Sequence, residues 1–555
     1  MGDIQARTVL WYLAFVGFAV NYMLRINLNI TIVDMVRQTK SSSSSKSLSA
    51  ECFDTSVKSP IVNHLPNNWT AVDYINGTDV YESLENISNK SSIFGTIISN
   101  ASIEIVPEMQ NKTKAEKFSL ERMFFEMFNI DYDKQGFSWN EYQQGLVLGS
   151  YYWLHWATQI PGGILAKKYG TKLVFGLSNV VGSWLCFLLP LASYWDYRVL
   201  IVLRVFQGMV VGLAWPAMHH LTGQWIPPNE RSKFVTAYLG SSVGIAVFYP
   251  VFGYIIAWSS WELVFHVCGI IGTIWYLGWL VYVFDSPAKH PRISSDERNY
   301  IEKALGSSVN SGEKNPTPWK EILTSRAVWM NVVAQWGGIW GLFTLMTQAP
   351  TYFKLIHGWN IHMTGILSGL PHVMRMAFAY VFSLLGDYLL RSEKLSRTNV
   401  RKLATFMCCI VKGVFVLALA YSGCNSLAAI VFLTLATAVH GAVSTGPLAS
   451  VVDISPNHAG IVLGISGMIG VIPGFISPAI VGILTLGNQT VTSWKYVFLI
   501  SSGMLLASGI LYVLFSESNL QSWNSPKKSE DKEREMQPLN GDKEKEAATE
   551  PLMKS

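Results

Sequence analysis

Residues 9–32 read VLWYLAFVGFAVNYMLRINLNITI, an apolar run long enough to cross a membrane, with one arginine, Arg25, inside it. About 20 apolar residues span a bilayer as a helix. The run is too long, and too polar at its end, for a cleaved signal peptide, so it reads as a true span. A second arginine, Arg204, lies inside the run 199–213, and no Asp or Glu occupies the interior of any hydrophobic segment. A cation placed in hydrocarbon costs at least ~2.5–3.5 kcal/mol, so such residues normally face protein or a watery cavity. With no carboxylate beside them, the expected countercharge is a bound anion.

Working outward, the 555-residue chain is 50% hydrophobic and 14% charged. Soluble domains carry roughly 25% charged residues, so this is a membrane protein. Twelve runs qualify as spans, near 8–33, 142–164, 172–193, 198–221, 234–257, 263–284, 327–350, 361–386, 402–422, 427–449, 459–484 and 494–516. The fold class is therefore all-α, with twelve transmembrane helices. Lys167, Lys168, Lys172, Arg231, Lys233, Arg391, Lys394, Arg397, Arg401 and Lys402 gather in alternate short loops, whereas loop 258–262 has no Lys or Arg. The positive-inside rule then puts both termini in the cytoplasm. The net charge of +5 reflects this topology rather than a nucleic-acid partner.

Between the first two runs lies a polar loop, 35–140, with sequons at Asn68, Asn76, Asn86, Asn89, Asn100 and Asn111. Glycosylation requires a lumenal or extracellular side, which agrees with the charge-based topology. Residues 285–326 read as a cytoplasmic linker between two six-span halves, 1–284 and 327–516, with an amphipathic piece at 295–305 opened by a capping pattern. The charged tail 517–555 is too poor in apolar residues to build a core and reads as a disordered cytoplasmic tail. Gly240, Gly244, Pro250 and Gly253 in span five match Gly464, Gly467, Gly470, Pro473 and Gly474 in span eleven. Matched breaks in two halves suit a repeat-built, alternating-access transporter. Cys186, Cys268, Cys408 and Cys409 fall within spans; Cys52 and Cys424 both face outside, where a disulfide can form, though their spacing sets no framework.

If the spans alternate in direction, Arg25 and Arg204 both lie in the outer half of the membrane at ~1.5 Å per residue. Two guanidiniums at similar depth can fork onto a carboxylate or phosphate. The competing roles are carbonyl capping and snorkelling toward the interface. Histidine can carry a coupling proton where carboxylates are missing. His155, His219, His372 and His440 are candidates, with Arg375 three residues after His372 on the same helical face. Lys412 reads ambiguously, since its stem can extend along apolar surface. The aromatic groups Tyr151-Tyr152-Trp153 and Trp336/Trp340 fit a cavity wall or gate, with Tyr152, Trp340 and His440 the candidate substrate contacts beside the arginines. No phosphate-binding loop, metal-spaced Cys/His set or nucleophile elbow appears, so no catalytic residue, metal or cofactor is expected.

Several longer motifs make a resemblance specific. They are NYMLRINL at 21–28, GSYYW at 149–153, TQIPGG at 158–163, RVFQG at 204–208, WPAMH at 215–219, PPNERS at 227–232, SPAKHP at 286–291 and DISP at 453–456. In this order they resemble the anion:cation symporter family of the major facilitator superfamily, which includes sialin, vesicular glutamate transporters and sodium/phosphate cotransporters. The resemblance implies a twelve-helix rocker-switch transporter with two pseudo-symmetric halves. It also implies that Arg25 and Arg204 are the anion-binding arginines of the first half, and that His219 matches a histidine of the span-four motif. The superfamily's loop signature appears as GILAKKYG at 163–170, with Lys167 in place of the usual Asp. Other positions also depart from the family. QGMVV at 207–211 lacks the acidic residue that often follows the span-four arginine, Leu148 replaces a span-two histidine, and SVVD at 450–453 replaces an Asn-His-Leu-Asp run. Gly338 stands where the glutamate transporters have an arginine.

The expected function is secondary active transport of a small inorganic or organic anion, coupled to sodium or protons, by a monomeric unit in the plasma membrane or an endo-lysosomal or vesicular membrane. The alternatives are a transport-degenerate receptor on the same fold and an uncoupled anion conductance.

Overall fold

A computed structural model describes residues 5–36, 52, 136–227, 230, 234, 236–305, 317–456 and 458–524. The six sequons of loop one and the tail beyond 524 lie outside the described residues. The described residues are helical apart from connections and one isolated bridge between Val36 and Phe137. In lipid every backbone polar group must be satisfied within the protein, and a helix does so within one segment.

Twelve spans follow one another. Spans one to six are Ala6–Met35, the pair Glu141–Ser150 and Gln159–Tyr169, the bent pair Thr171–Cys186 and Leu189–Trp195, then Tyr197–Trp225, Thr236–Trp258 and Trp261–Tyr282. Spans seven to twelve are Arg326–Leu355, Ile361–Arg391, Arg397–Ala420, Ser426–Ile454, Ala459–Leu484 and Val491–Phe515. Nine of these are long and apolar enough to cross by themselves, and span three joins them once its 45° bend is bridged. Span two falls short because it is broken at 151–158, and span seven because Asn331, Gln335 and Gln348 dilute its apolar surface. The fold is thus the all-α, twelve-helix bundle expected from the sequence.

Spans one to six share a core that includes Phe18, Phe175, Trp275 and Trp279; a second core in the later spans includes Tyr352, Phe353, Leu433, Trp494 and Phe498. The face carrying the ends of spans one, five, seven and eleven is the loop face, and the opposite one the terminal face. At the loop face the halves touch backbone to backbone. A Cβ added at Gly365 of span eight would stand 2.6 Å from the Tyr249 carbonyl of span five, and one at Gly482 of span eleven 2.6 Å from the Glu141 carbonyl of span two. Toward the terminal face the seam is open. Gly464 and Gly467 of span eleven, and Gly223 of span four, have no described atom beyond their own helix turn within 4 Å of where a Cβ would be. The glycines matched between spans five and eleven therefore do different work in this state: Gly244 packs on span one, while Gly464 faces open space.

Cys52 and Cys424 are disulfide-bonded, and the Cys52 amide donates to the Ile356 carbonyl at 3.1 Å. Loops one and nine–ten therefore share the loop face. On the terminal face, the linker helix Ser295–Leu305 is held to span one through Glu297. This carboxylate accepts from the Ala6 and Arg7 amides at 2.9 and 3.1 Å and from Arg7 Nε at 3.0 Å.

Candidate functional site

Arg25 sits 10 residues before the loop-face end of span one, about 15 Å along the axis, and is 4% exposed. Tyr22, three residues earlier on the same face, puts its ring under the guanidinium at 4.6 Å from its centroid. One Nη2 hydrogen is shared with His155 Nε2 at 3.2 Å, and Nε is buried without a partner. His155 lies in the break of span two, and its Nδ1 is 2.9 Å from the Gly208 carbonyl. A carbonyl only accepts and a guanidinium only donates, so Nδ1 carries the proton and Nε2 presents its lone pair. That geometry requires a neutral imidazole. The Tyr151 and Tyr152 hydroxyls, on the same broken turn, are also buried without a partner. Buried donors are nearly always satisfied, so these groups have hydrogen-bonding capacity to spare.

Arg204 differs. Its Nη1 donates to the Leu24 carbonyl at 3.2 Å, Asn27 Oδ1 at 3.3 Å and Gln207 Oε1 at 2.8 Å, and its guanidinium lies over the Tyr151 ring at 4.8 Å. Gln207 in turn donates to the Gly182 carbonyl at 2.7 Å. Arg204 thus ties span four to span one, and Gln207 extends the tie to span three. Asn27 and Gln207 were missed in the sequence reading, although each stands two or three residues from an arginine already singled out.

The second half holds His372, Lys412 and His440, each 3% exposed or less, and half-buried Arg375. Lys412 donates to the Gly338 carbonyl of span seven at 3.2 Å. His440 faces the same glycine, its Cε1 3.4 Å from where a Gly338 Cβ would be. The carboxylates that do occur in the spans, Asp34, Glu141, Glu262, Asp387 and Asp453, all stand within about a turn of a helix end. None reaches the basic centre.

The remaining candidates divide. Tyr152 lies on the seam between the halves, its ring 4.7 Å from Phe343 of span seven and packed on Gly474 of span eleven. Trp340 is buried two residues beyond Gly338, with its ring 6.4 Å from Trp336. His219 is 15 residues past Arg204, roughly 22 Å toward the terminal face, where its Nδ1 meets the Tyr238 hydroxyl at 3.2 Å. It is exposed to the open side and stands apart from the arginines.

A family model described as Major Facilitator Superfamily matches residues 118–478. The chain belongs to that superfamily. Within it, this facilitator is a member of the anion:cation symporter family. It is 37% identical over 404 residues to vesicular glutamate transporter 1 of Bos taurus, covering 72% of each chain. It is 34% identical over 401 residues to vesicular glutamate transporter 2 of Homo sapiens, covering 72% of this chain and 69% of the relative. Among solved structures, it resembles a bacterial homologue of the human lysosomal transporter Spinster in an inward-facing, unoccupied conformation. The TM-score is 0.57 at 12% identity, covering 93% of this chain and 98% of the other. The inward-open xylose transporter XylE of E. coli gives a TM-score of 0.50 at 13% identity, over 68% of this chain and 86% of that one. At those identities the structures establish the fold alone. This facilitator is a multi-pass membrane transporter, not an enzyme.

Proposed function

We propose that this facilitator is a secondary active transporter of a small anion, bound between the halves at Arg25 and released as they rock about the site. The observation that carries the reading is the group of buried donors without acceptors, Arg25 Nε, Arg204 Nε and the Tyr151 and Tyr152 hydroxyls, in a wall without carboxylates. An anion supplies what they lack. The driving ion is a proton or sodium, and His155 favours the proton. Protonating Nε2 replaces the lone pair facing Arg25 with a donor, which frees the guanidinium for the anion. The terminal face is read as cytoplasmic, from the loop charges and the sequons. The membrane is the plasma membrane or that of an endo-lysosomal or vesicular compartment. The relatives' names make glutamate one candidate cargo, but the missing acidic residue after Arg204 weighs toward phosphate or another carboxylate.

The test is uptake into proteoliposomes of phosphate, sialate, glutamate, aspartate and urate, with and without sodium and pH gradients. Saturable, gradient-driven uptake with counterflow is expected for at least one anion. Arg25→Ala should lower it about 10- to 100-fold, since a hydrogen bond to a charged group is worth about 1.5–3 kcal/mol. Binding without counterflow would make the protein a receptor on this fold. Current independent of both gradients would make it a conductance.

A further inference from the structure

Lys412 is fully buried in span nine, yet its ammonium meets one acceptor, the Gly338 carbonyl at 3.2 Å. An ammonium has three donors, and leaving a buried one unpaired is unfavourable. The residues before it, Phe406–Val411, form a π-helical segment. Such a turn holds an extra residue and swings the side chains that follow it to a new face; π-turns occur frequently at functional sites. Around Lys412 the polar groups are also unspent. His372 and His440 are 3% and 2% exposed, and each has an Nδ1 without a partner. Lys412, Arg375 and His372 lie within electrostatic reach of His440, whose ring also meets the Cys408 backbone. Spans eight and ten close on one another here, since a Cβ at Gly441 would stand 2.5 Å from the Arg375 carbonyl. Arg375 in turn lies within electrostatic reach of Tyr22, whose ring carries Arg25. A path of basic and aromatic groups thus runs from Arg25 in one half to Lys412 in the other.

We propose that Lys412, with His372 and His440, forms a second anion subsite in the C-terminal half. The cargo is then a dianion, with one acid group on Arg25 and the other on Lys412. This rests on the transport reading above and narrows its substrate class. A monoanion neutralises one of the two cations and leaves the other unpaired in the opposite half. A dicarboxylate satisfies both and draws the halves together around it.

The experiment uses the full chain in lipid nanodiscs, with succinate as the dianionic probe and acetate as the monoanionic one, read as ligand-induced protection against thermal unfolding. Wild type is expected to bind succinate at least about tenfold more tightly than acetate, as one further charged contact implies. Lys412→Met should abolish that preference while leaving acetate binding intact, which also reports that the variant is folded. His440→Gln, which leaves Lys412 in place, should reduce the preference severalfold. Arg25→Ala should weaken both probes. A wild type with no preference for succinate, or a Lys412→Met or His440→Gln variant that keeps the full preference, overturns the second subsite. If acetate still binds and depends on Arg25, the transport reading stands without it. A wild type that binds neither probe, with Arg25→Ala indistinguishable from it, removes both.

Discussion

The two halves hold buried cations in opposite ways. In the first, Arg204 gives Nη1 to Leu24, Asn27 and Gln207 and becomes a strut between helices, with Nε left over. In the second, Lys412 has one carbonyl, and Nδ1 of His372 and Nδ1 of His440 have no partner. Burial is equally deep in both, so depth does not tell a strut from a receptor. The number of partners already engaged does. By that measure Arg25, held by His155, belongs with Lys412, held by Gly338, rather than with Arg204, its partner in the sequence motif, which is held by three.

The largest effect should separate the two arginines. Arg25→Ala is expected to lose uptake while its midpoint of thermal unfolding stays close to wild type. Arg204→Ala should lose stability, because it strands the buried Asn27 and Gln207 oxygens at about 1–3 kcal/mol each. An Arg204→Ala protein as stable as wild type would break the contrast. Next come the seams. Gly365→Leu should hold the loop face apart and raise hydrogen exchange at the facing ends of spans five and eight. Gly464→Leu, with open space around it, should leave that exchange unchanged. Equal effects would mean that the closed and open faces are not distinguished by these contacts.

The smallest effect concerns how the second half is held. His357, in the loop after span seven, lies against Tyr352, Phe353 and Trp359, and burial pushes its pKa down to about 4. Between pH of about 6.5 and 4 the unfolded chain binds a proton there that the folded chain does not, so stability falls as pH drops through that window. Thermal unfolding across this range should be less pH-dependent in His357→Gln. An unchanged slope would mean that aromatic packing at the loop face contributes less than the polar strut of the first half.

The twelve spans and the family were legible because hydrophobic length and motif order are local properties of the chain. Arg25 and His155 were each visible as buried polar residues, but their contact was not. It depends on the unwound turn at 151–158, which bends span two so that His155 reaches both Arg25 and the Gly208 carbonyl. Tyr22 was available from its i, i+3 spacing to Arg25, and Gln207 from the same spacing to Arg204, had helical faces been read around each arginine. Lys412 was not recoverable as a site residue. Its direction depends on the π-turn before it, and one inserted residue defeats a face assignment based on 3.6 residues per turn. The state of the seam was equally hidden, because the same glycines serve a face that is shut and one that is open.

The Cys52–Cys424 bond has a consequence for how the molecule comes apart. It joins positions 372 residues apart and closes a covalent ring that threads spans two through nine and so includes helices of both halves. A chain that unfolds inside such a ring gains less freedom than an open one, by an amount on the order of 5 kcal/mol in chain-entropy reasoning. A half that loosens therefore stays leashed to its partner, and its way back to the native arrangement is a short search rather than a new encounter.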